Sequence, residues 1–155
     1  MDFDIRFVEK REERVQIARS ILETLTDWFE VTEYREQYIS DSADWLFFCA
    51  DTDDSPKGFL CLKETGNATV ELAVMGVHPQ YHHMGIGTAL FNAAKKKASE
   101  LGYEFFQVKT VKEGMYKEYD VTNAFYKSLG FKEFECIPII WGDDNPCQIY
   151  VMYLK

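Results

Sequence analysis

The pattern of the chain changes abruptly between a predicted strand and a predicted helix. Residues 68–77 alternate in the manner of a strand, and Pro79 stands just after their end. Two glycines separated by one residue, Gly85 and Gly87, follow, and from Ile86 onward apolar residues recur at helical spacing. Such a glycine turn lets the backbone fold tightly at the start of a helix. This feature favours the α/β class.

The rest of the chain is consistent with one domain over residues 1–155, about the length of an average domain. Apolar spacing predicts a helix over residues 11–29 and a short helix over 121–129. Asp120 is the predicted N-cap of the short helix. Asp, Ser and Pro residues predict a turn over 51–58. Strands are predicted at 2–8, 45–50, 59–63, 68–77, 104–110, 131–137 and 148–154, with a polar turn at 141–146. The predicted fold is a mixed, mostly antiparallel central sheet of about seven strands with flanking helices.

Charge and composition exclude several classes of partner. Lys and Arg number 17 against 26 Asp and Glu, which gives a net charge of −9. A field of that sign repels phosphate backbones and anionic membranes, so we expect no nucleic acid and no membrane partner. It weakly favours cationic ligands such as amines. The first residues are charged and contain no apolar h-region, so we expect no targeting segment and a cytoplasmic protein. The four cysteines form no CxxC pair, so we expect reduced, mostly buried thiols.

Taken alone, the turn at residues 82–88 has two interpretations. Amide N–H groups that converge at a helix N-terminus suit a phosphate or pyrophosphate. The same spacing also makes an ordinary tight connection without a ligand. It is not a Walker A loop, because no GK[ST] follows, and Leu90 occupies the place of the third glycine of a dinucleotide fingerprint.

The short helix predicted at 121–129 contains an aromatic residue in an unexpected place. Helical geometry puts Tyr126 beside Thr122 and Asn123, outside the apolar arc. That arc consists of Val121, Ala124, Phe125 and Leu129. A tyrosine on the polar side of a helix serves either function or packing against a neighbouring element, and the residues alone leave both open.

Together the two segments resemble the signature of the GNAT superfamily of acyl-CoA-dependent N-acetyltransferases. The family pattern is [QR]-x-x-G-x-[GA] after a strand that ends in Val-x-Pro, followed later by FY-x-x-LGF. Here the first phrase is Val77-His78-Pro79-Gln80-Tyr81-His82-His83-Met84-Gly85-Ile86-Gly87-Thr88 and the second is Phe125-Tyr126-Lys127-Ser128-Leu129-Gly130-Phe131. The predicted element order is a strand, two helices, three strands, a helix, a strand, a helix and two strands, and it is similar to that of the family over almost the whole chain.

The resemblance implies a binding mode for acetyl-CoA, the expected co-substrate. The backbone at the helix start would hold the pyrophosphate, through His83, Met84, Gly85, Ile86, Gly87 and Thr88. The preceding strand would splay from its neighbour and bind the pantetheine arm at Met75 and Val77, which flank Gly76. Near Met75 an amide would polarise the thioester carbonyl. At the first signature position stands His82, where the family has Gln or Arg, and the resemblance implies that this residue also belongs to the cofactor-binding set.

The resemblance also implies catalytic roles. Tyr126 matches the tyrosine that protonates the departing CoA thiolate, and Glu71 stands where the histone-acetylating branch keeps a glutamate base. Members without such a glutamate use water chains, and Glu71 is also consistent with a solvated strand residue. The family asparagine position is occupied by Tyr119, and Asn123 would contact the pantetheine instead. The reaction would be direct attack by a primary amine in a ternary complex.

Other assignments stay open at this stage. The acceptor could be a polyamine, an aminoglycoside-like drug, a small amine metabolite or a protein amine. A non-catalytic acyl-CoA-binding regulatory module is the alternative function, and the family's frequent dimers make a homodimer an option. Three neighbouring histidines lack metal-ligand spacing, so no metal is expected. Four aromatic residues either pack in the core or wall the acceptor pocket: Trp28, Phe29, Tyr34 and Tyr38.

Overall fold

The computed structural model describes residues 2–138, 140–142 and 145–155. Its elements are β1 (Asp4–Val8), α1 (Arg11–Leu22), α2 (Thr32–Asp41), β2 (Leu46–Thr52), β3 (Ser55–Gly66), β4 (Thr69–Val77), α3 (Ile86–Glu100), β5 (Phe105–Val111), α4 (Lys117–Ser128), β6 (Lys132–Ile137) and β7 (Cys147–Tyr153). The seven strands form one mixed sheet in the order β1-β2-β3-β4-β5-β7-β6. This confirms the predicted α/β class and element order. Asp143 and Asp144 of the predicted polar turn lie outside the described residues.

Two compact units make up the chain. The first comprises Met1–Lys63 and Ala73–Lys97, and the second comprises Glu64–Leu72 and Ala98–Lys155. The prediction of a single domain over residues 1–155 stays a prediction. No helix within the described ranges is long and apolar enough to cross a membrane.

In the first unit, β1, β2 and β3 are joined as antiparallel neighbours. The loop between β2 and β3 is far shorter than the turn predicted at 51–58, because Thr52 already pairs with Ser55. Asp53 and Asp54 form the whole connection, with φ values of 51° and 61°. Two left-handed residues are the requirement of a type I′ hairpin, and Asp tolerates that conformation better than most residues.

The helix predicted over 11–29 is too long, because α1 ends at Leu22. The predicted C-terminal end is therefore wrong. The Thr24 hydroxyl donates a hydrogen bond of 2.6 Å to the carbonyl of Ile21. Side chains of this kind compete with the helix ladder for backbone partners. Leu25 remains buried beyond the end of the helix and belongs to the apolar cluster of the first unit.

α1 packs directly over one point of β4. A Cβ on Gly76 would stand 2.9 Å from Leu25 Cδ1 and 3.0 Å from Ile21 Cγ2. A side chain at this position would force the Leu25 and Ile21 side chains to shift. The glycine therefore sets how closely the helix and the strand approach.

We expect Gly76→Ala to lower the free energy of unfolding by about 1–3 kcal/mol, the usual cost of overpacking a core. Urea unfolding followed by circular dichroism measures it. Gly66→Ala is the matched control, since a Cβ at Gly66 meets nothing within 4 Å. Equal stability of the two variants would contradict the close approach of α1.

In the second unit, β4 pairs in parallel with β5 from Thr69, opposite Phe105, to Leu72, opposite Val108. β5 and β6 each pair antiparallel with β7. The strand–helix–strand unit predicted at residues 69–110 is thus confirmed. Gly102, with φ of +90°, follows α3 as the predicted left-handed stop.

Candidate active site

The residues of β4 alternate between two faces over the whole strand. Glu71, Met75 and Val77 are partly buried, whereas the alternate residues Val70 and Leu72 are buried. This confirms that Glu71 shares one face with Met75 and Val77, as strand periodicity requires. The predicted splay of this strand and the backbone contacts with pantetheine stay predictions.

The chain leaves β4 through a loop fixed by its own backbone. His78 donates its N–H to the carbonyl of Lys57 over 2.7 Å. Its ring Nδ1 accepts from the N–H of Gln80 at 3.2 Å, and Pro79 begins a short 3₁₀ turn. Proline suits this position because its missing N–H would have no partner in the first turn. The predicted strand end at Val77-His78-Pro79 is confirmed.

The imidazole of His82 faces the protein backbone. Its Nε2 lies 2.6 Å from the carbonyl oxygen of Val77. A carbonyl only accepts, so Nε2 carries the proton and donates it. The edge-to-face contact with Trp28, at a centroid distance of 5.9 Å, orients the ring from another side.

The next residues form a cradle, defined here as residues 83–88. His83 and Gly85 have φ values of +64° and +84°. Gly85 then accepts the first helical hydrogen bond, from the N–H of Ala89 at 3.0 Å. The N–H groups at the first turn of α3 have no acceptor within the helix, and the helix dipole adds positive potential there. The arrangement suits a bound phosphate or pyrophosphate.

Two buried contacts hold the start of α3. The Ile86 side chain is 1% exposed. A Cβ on Gly58 would stand 3.1 Å from Ile86 Cγ2 and 3.3 Å from Leu90 Cδ1. Sequence reasoning placed Gly58 in a turn and missed this role. A glycine inside a strand often marks a close approach, and that signal would have found it.

The buried face of α4 differs from the predicted one. Asn123 is 0% and Tyr126 is 7% exposed, whereas Val121 is 57% exposed. The helix also begins at Lys117, four residues before the predicted start, and Asp120 accepts from the N–H of Gly114 instead of capping the helix. The predicted apolar arc is therefore wrong in part, because Val121 and Ala124 are exposed whereas Phe125 and Leu129 are partly buried. The predicted N-cap is wrong.

Asn123 can be buried because its amide is satisfied. Its Nδ2 donates to the carbonyl oxygens of Val111 at 2.9 Å and Tyr119 at 2.6 Å. Its Oδ1 accepts from the Tyr150 hydroxyl at 2.6 Å. The side chain thus joins α4 to β5 and β7, and its predicted contact with pantetheine stays a prediction. Tyr126 lies on the same face, with its ring 5.9 Å from Phe131 and 6.2 Å from Tyr150.

The candidate base has a cationic partner that the sequence did not reveal. Lys109 Nζ donates to Glu71 Oε1 over 3.1 Å, and the Glu71 side chain is 13% exposed. One carboxylate oxygen is therefore already engaged. Lys109 on β5 lies two residues beyond Gln107, the residue that pairs with Glu71. Register of this kind needs the fold and is not readable from the sequence.

Comparison with known proteins gives the family. The family model of the acetyltransferase (GNAT) domain matches residues 43–133, more than half of the chain. The chain belongs to the GNAT family of acetyltransferases. No curated protein matches the sequence of this GNAT chain.

Solved structures share the GNAT fold over nearly the full length. A Desulfovibrio desulfuricans protein assigned to the GNAT family has a TM-score of 0.81 at 18% identity, covering 99% of this chain and 100% of its own. Ard1 from Thermoplasma volcanium has a TM-score of 0.80 at 17% identity, with 100% and 99% covered. An aminoglycoside 6′-N-acetyltransferase complexed with coenzyme A has a TM-score of 0.75 at 16% identity, with 100% and 98% covered.

The four aromatic residues whose role the sequence left open divide into two groups in this GNAT chain. Trp28, Phe29 and Tyr38 pack against the apolar cluster of the first unit, which favours the core interpretation for these three. Tyr34 is 69% exposed. Of these four residues, only Tyr34 is mostly exposed to solvent.

Three of the four cysteines of the GNAT chain are unsuited to covalent catalysis. All four are free thiols, and Cys49, Cys61 and Cys147 are buried. Burial raises the pKa of Cys49 to about 12, with a further contribution from Asp51, and burial raises that of Cys147 to about 11. The nucleophile is the thiolate, so these groups are unreactive at neutral pH. Over the described part of the chain, no three His, Cys, Asp or Glu side chains are grouped to hold a metal ion.

Proposed function

We propose that this GNAT chain transfers an acetyl group from acetyl-CoA to a primary amine by direct attack within a ternary complex. The observation that carries the proposal is the cradle, where left-handed His83 and Gly85 precede the open first turn of α3. A related fold, the aminoglycoside 6′-N-acetyltransferase, binds coenzyme A. Membership of the GNAT family supports the same donor.

In this proposal the cradle binds the donor through its backbone. The N–H groups at residues 83–88 bind the diphosphate of CoA, which needs no cationic side chain. Backbone groups of Met75 and Val77 bind the pantetheine arm, and Gly76 between them keeps the strand against α1. An amide near Met75 donates to the thioester oxygen as negative charge develops there.

The chemistry then requires proton transfers at both the acceptor nitrogen and the departing sulfur. The neutral amine attacks the thioester carbonyl, the attacking nitrogen gives its extra proton to water, and the C–S bond of the tetrahedral intermediate breaks as the amide forms. Tyr126 donates a proton to the departing thiolate and is reprotonated from solvent. The ammonium form of the acceptor first loses a proton to Glu71 or to a water chain. The ion pair with Lys109 occupies one oxygen of Glu71, which favours the water chain.

The same ion pair gives a reason to consider a second function. A chain whose candidate base is engaged could bind acyl-CoA as a regulatory module without turnover. The two functions differ in what they do with an amine. Both require CoA to bind.

A screen for turnover decides between them. The purified chain is incubated with acetyl-CoA and a mixed library of polyamines, aminoglycosides, small amine metabolites and peptides. Release of CoA together with one amine that gains the mass of an acetyl group is the expected result. Calorimetry with CoA, NAD and ATP runs in parallel, and we expect heat only from CoA. CoA binding without any product would indicate the regulatory module, and no heat from CoA would refute both.

A further inference from the structure

We propose that His82 is a positioning residue that connects the end of β4 to the cradle, and not a ligand of the cofactor's phosphates. The inference rests on the proposed function, because it assigns Val77 and the cradle to the two ends of one CoA molecule. It concerns the first signature position, where this chain departs from the family's Gln or Arg.

The hydrogen bond between ring and strand is the first argument. His82 Nε2 donates to the Val77 carbonyl over 2.6 Å and is only partly exposed. The backbone of His82 is held as well, since its N–H donates to the carbonyl of Pro79 at 3.4 Å. Nε2 therefore donates its proton to the Val77 carbonyl at the end of β4 and does not point outward toward an anion.

A second argument is the support of the ring. Trp28 contacts His82 edge to face at 5.9 Å, and Trp28 itself packs against the apolar cluster of the first unit. The ring thus lies between a strand end and a residue anchored on the core. A ring turned so that Nε2 reached a phosphate of the cofactor would lose both contacts.

The consequence is preorganisation. Val77 closes the strand proposed to bind pantetheine, and His82 directly precedes the cradle proposed to bind the diphosphate. A hydrogen bond across this loop fixes the spacing of the two binding segments before CoA arrives. A ligand binds more tightly when its binding segments are already ordered, because less conformational entropy is then lost on binding.

Calorimetry of three variants with CoA tests how much this hydrogen bond contributes to CoA affinity. His82→Ala removes the donor, and we expect the Kd for CoA to rise about fivefold, the effect of losing one ordinary hydrogen bond. His82→Gln keeps an amide donor that can reach the same carbonyl, and we expect a Kd within about twofold of wild type. Gln80→Ala is the matched control in the same loop, because the Gln80 side chain is exposed and only its backbone N–H bonds to His78. Equal Kd values for wild type and His82→Ala would overturn the proposal.

Nitrogen NMR on histidine-labelled protein tests the geometry without relying on CoA binding. We expect the His82 ring to carry its proton on Nε2, with the same chemical shift before and after CoA is added. An unprotonated Nε2, or a shift that moves on adding CoA because the ring turns to a phosphate, would overturn the positioning role. If the wild type gives no heat with CoA, the proposed function fails, and the NMR result alone then decides whether His82 holds Val77.

Discussion

Gly85→Ala should weaken CoA binding by about 100-fold, the equivalent of one or two charge-assisted hydrogen bonds. Gly85 has a φ of +84°. Alanine tolerates this conformation poorly, so the turn would relax and the first-turn N–H groups of α3 would no longer converge. A Cβ there meets no protein atom within 4 Å and would stand in the open space beside the cradle, where a diphosphate would lie. Calorimetry with CoA measures the change.

Gly102→Ala separates the loss of a binding site from the loss of stability. Gly102 also has a left-handed φ, of +90°, and a Cβ there likewise meets nothing within 4 Å. The two variants should therefore lose similar free energy of unfolding, about 1 kcal/mol. Only Gly85→Ala should bind CoA more weakly than wild type. If it binds CoA as tightly as Gly102→Ala does, the cradle is not the diphosphate site.

The parts of the fold that local rules determine were predictable. A glycine after a helix supplies the left-handed stop, as at Gly102, and Pro79 ends β4 as expected. Alternation along β4 correctly placed Glu71 on the same strand face as Met75 and Val77. These signals depend on one residue or one period, so the sequence contains all of the information they need.

The buried face of α4 was not predictable in this way. Amphipathicity treats an asparagine as exposed, but Asn123 is buried because Val111 and Tyr150 supply its hydrogen bonds. Both partners are distant in sequence. The cost of burying an amide disappears only when such partners are in place.

The candidate site shows the same division. The motif located the cradle, since close backbone packing at a helix start needs glycine at particular positions. The motif did not show the contacts that shape the site. His82 bonds to Val77, Lys109 pairs with Glu71, and Gly58 admits the start of α3. Each of these is a pairwise contact that exists only once strands and helices have packed.

Tyr126→Phe should lower the single-turnover rate of acetyl transfer by about 100-fold, the typical contribution of a positioned general acid. The substitution removes one oxygen and leaves the ring in place. Tyr126 packs its ring 5.9 Å from Phe131 and 6.2 Å from Tyr150, and phenylalanine keeps these contacts. The Kd for CoA should stay within about twofold, because a proton donor to the thiolate contributes in the transition state and not to ground-state binding. Rapid-quench measurement with the acceptor found in the amine screen gives the rate.

Single turnover matters here, because slow release of CoA would hide a change in the chemical step. Tyr103→Phe is the control for hydroxyl removal: its hydroxyl donates to Glu64 on an exposed surface, and we expect its rate to match wild type. A Tyr126→Phe rate equal to that of Tyr103→Phe would assign protonation of the thiolate to water and leave Tyr126 as a packing residue. A fall in rate with unchanged CoA affinity has no packing explanation, because a disturbed α4 would also alter stability, which thermal unfolding of both variants records.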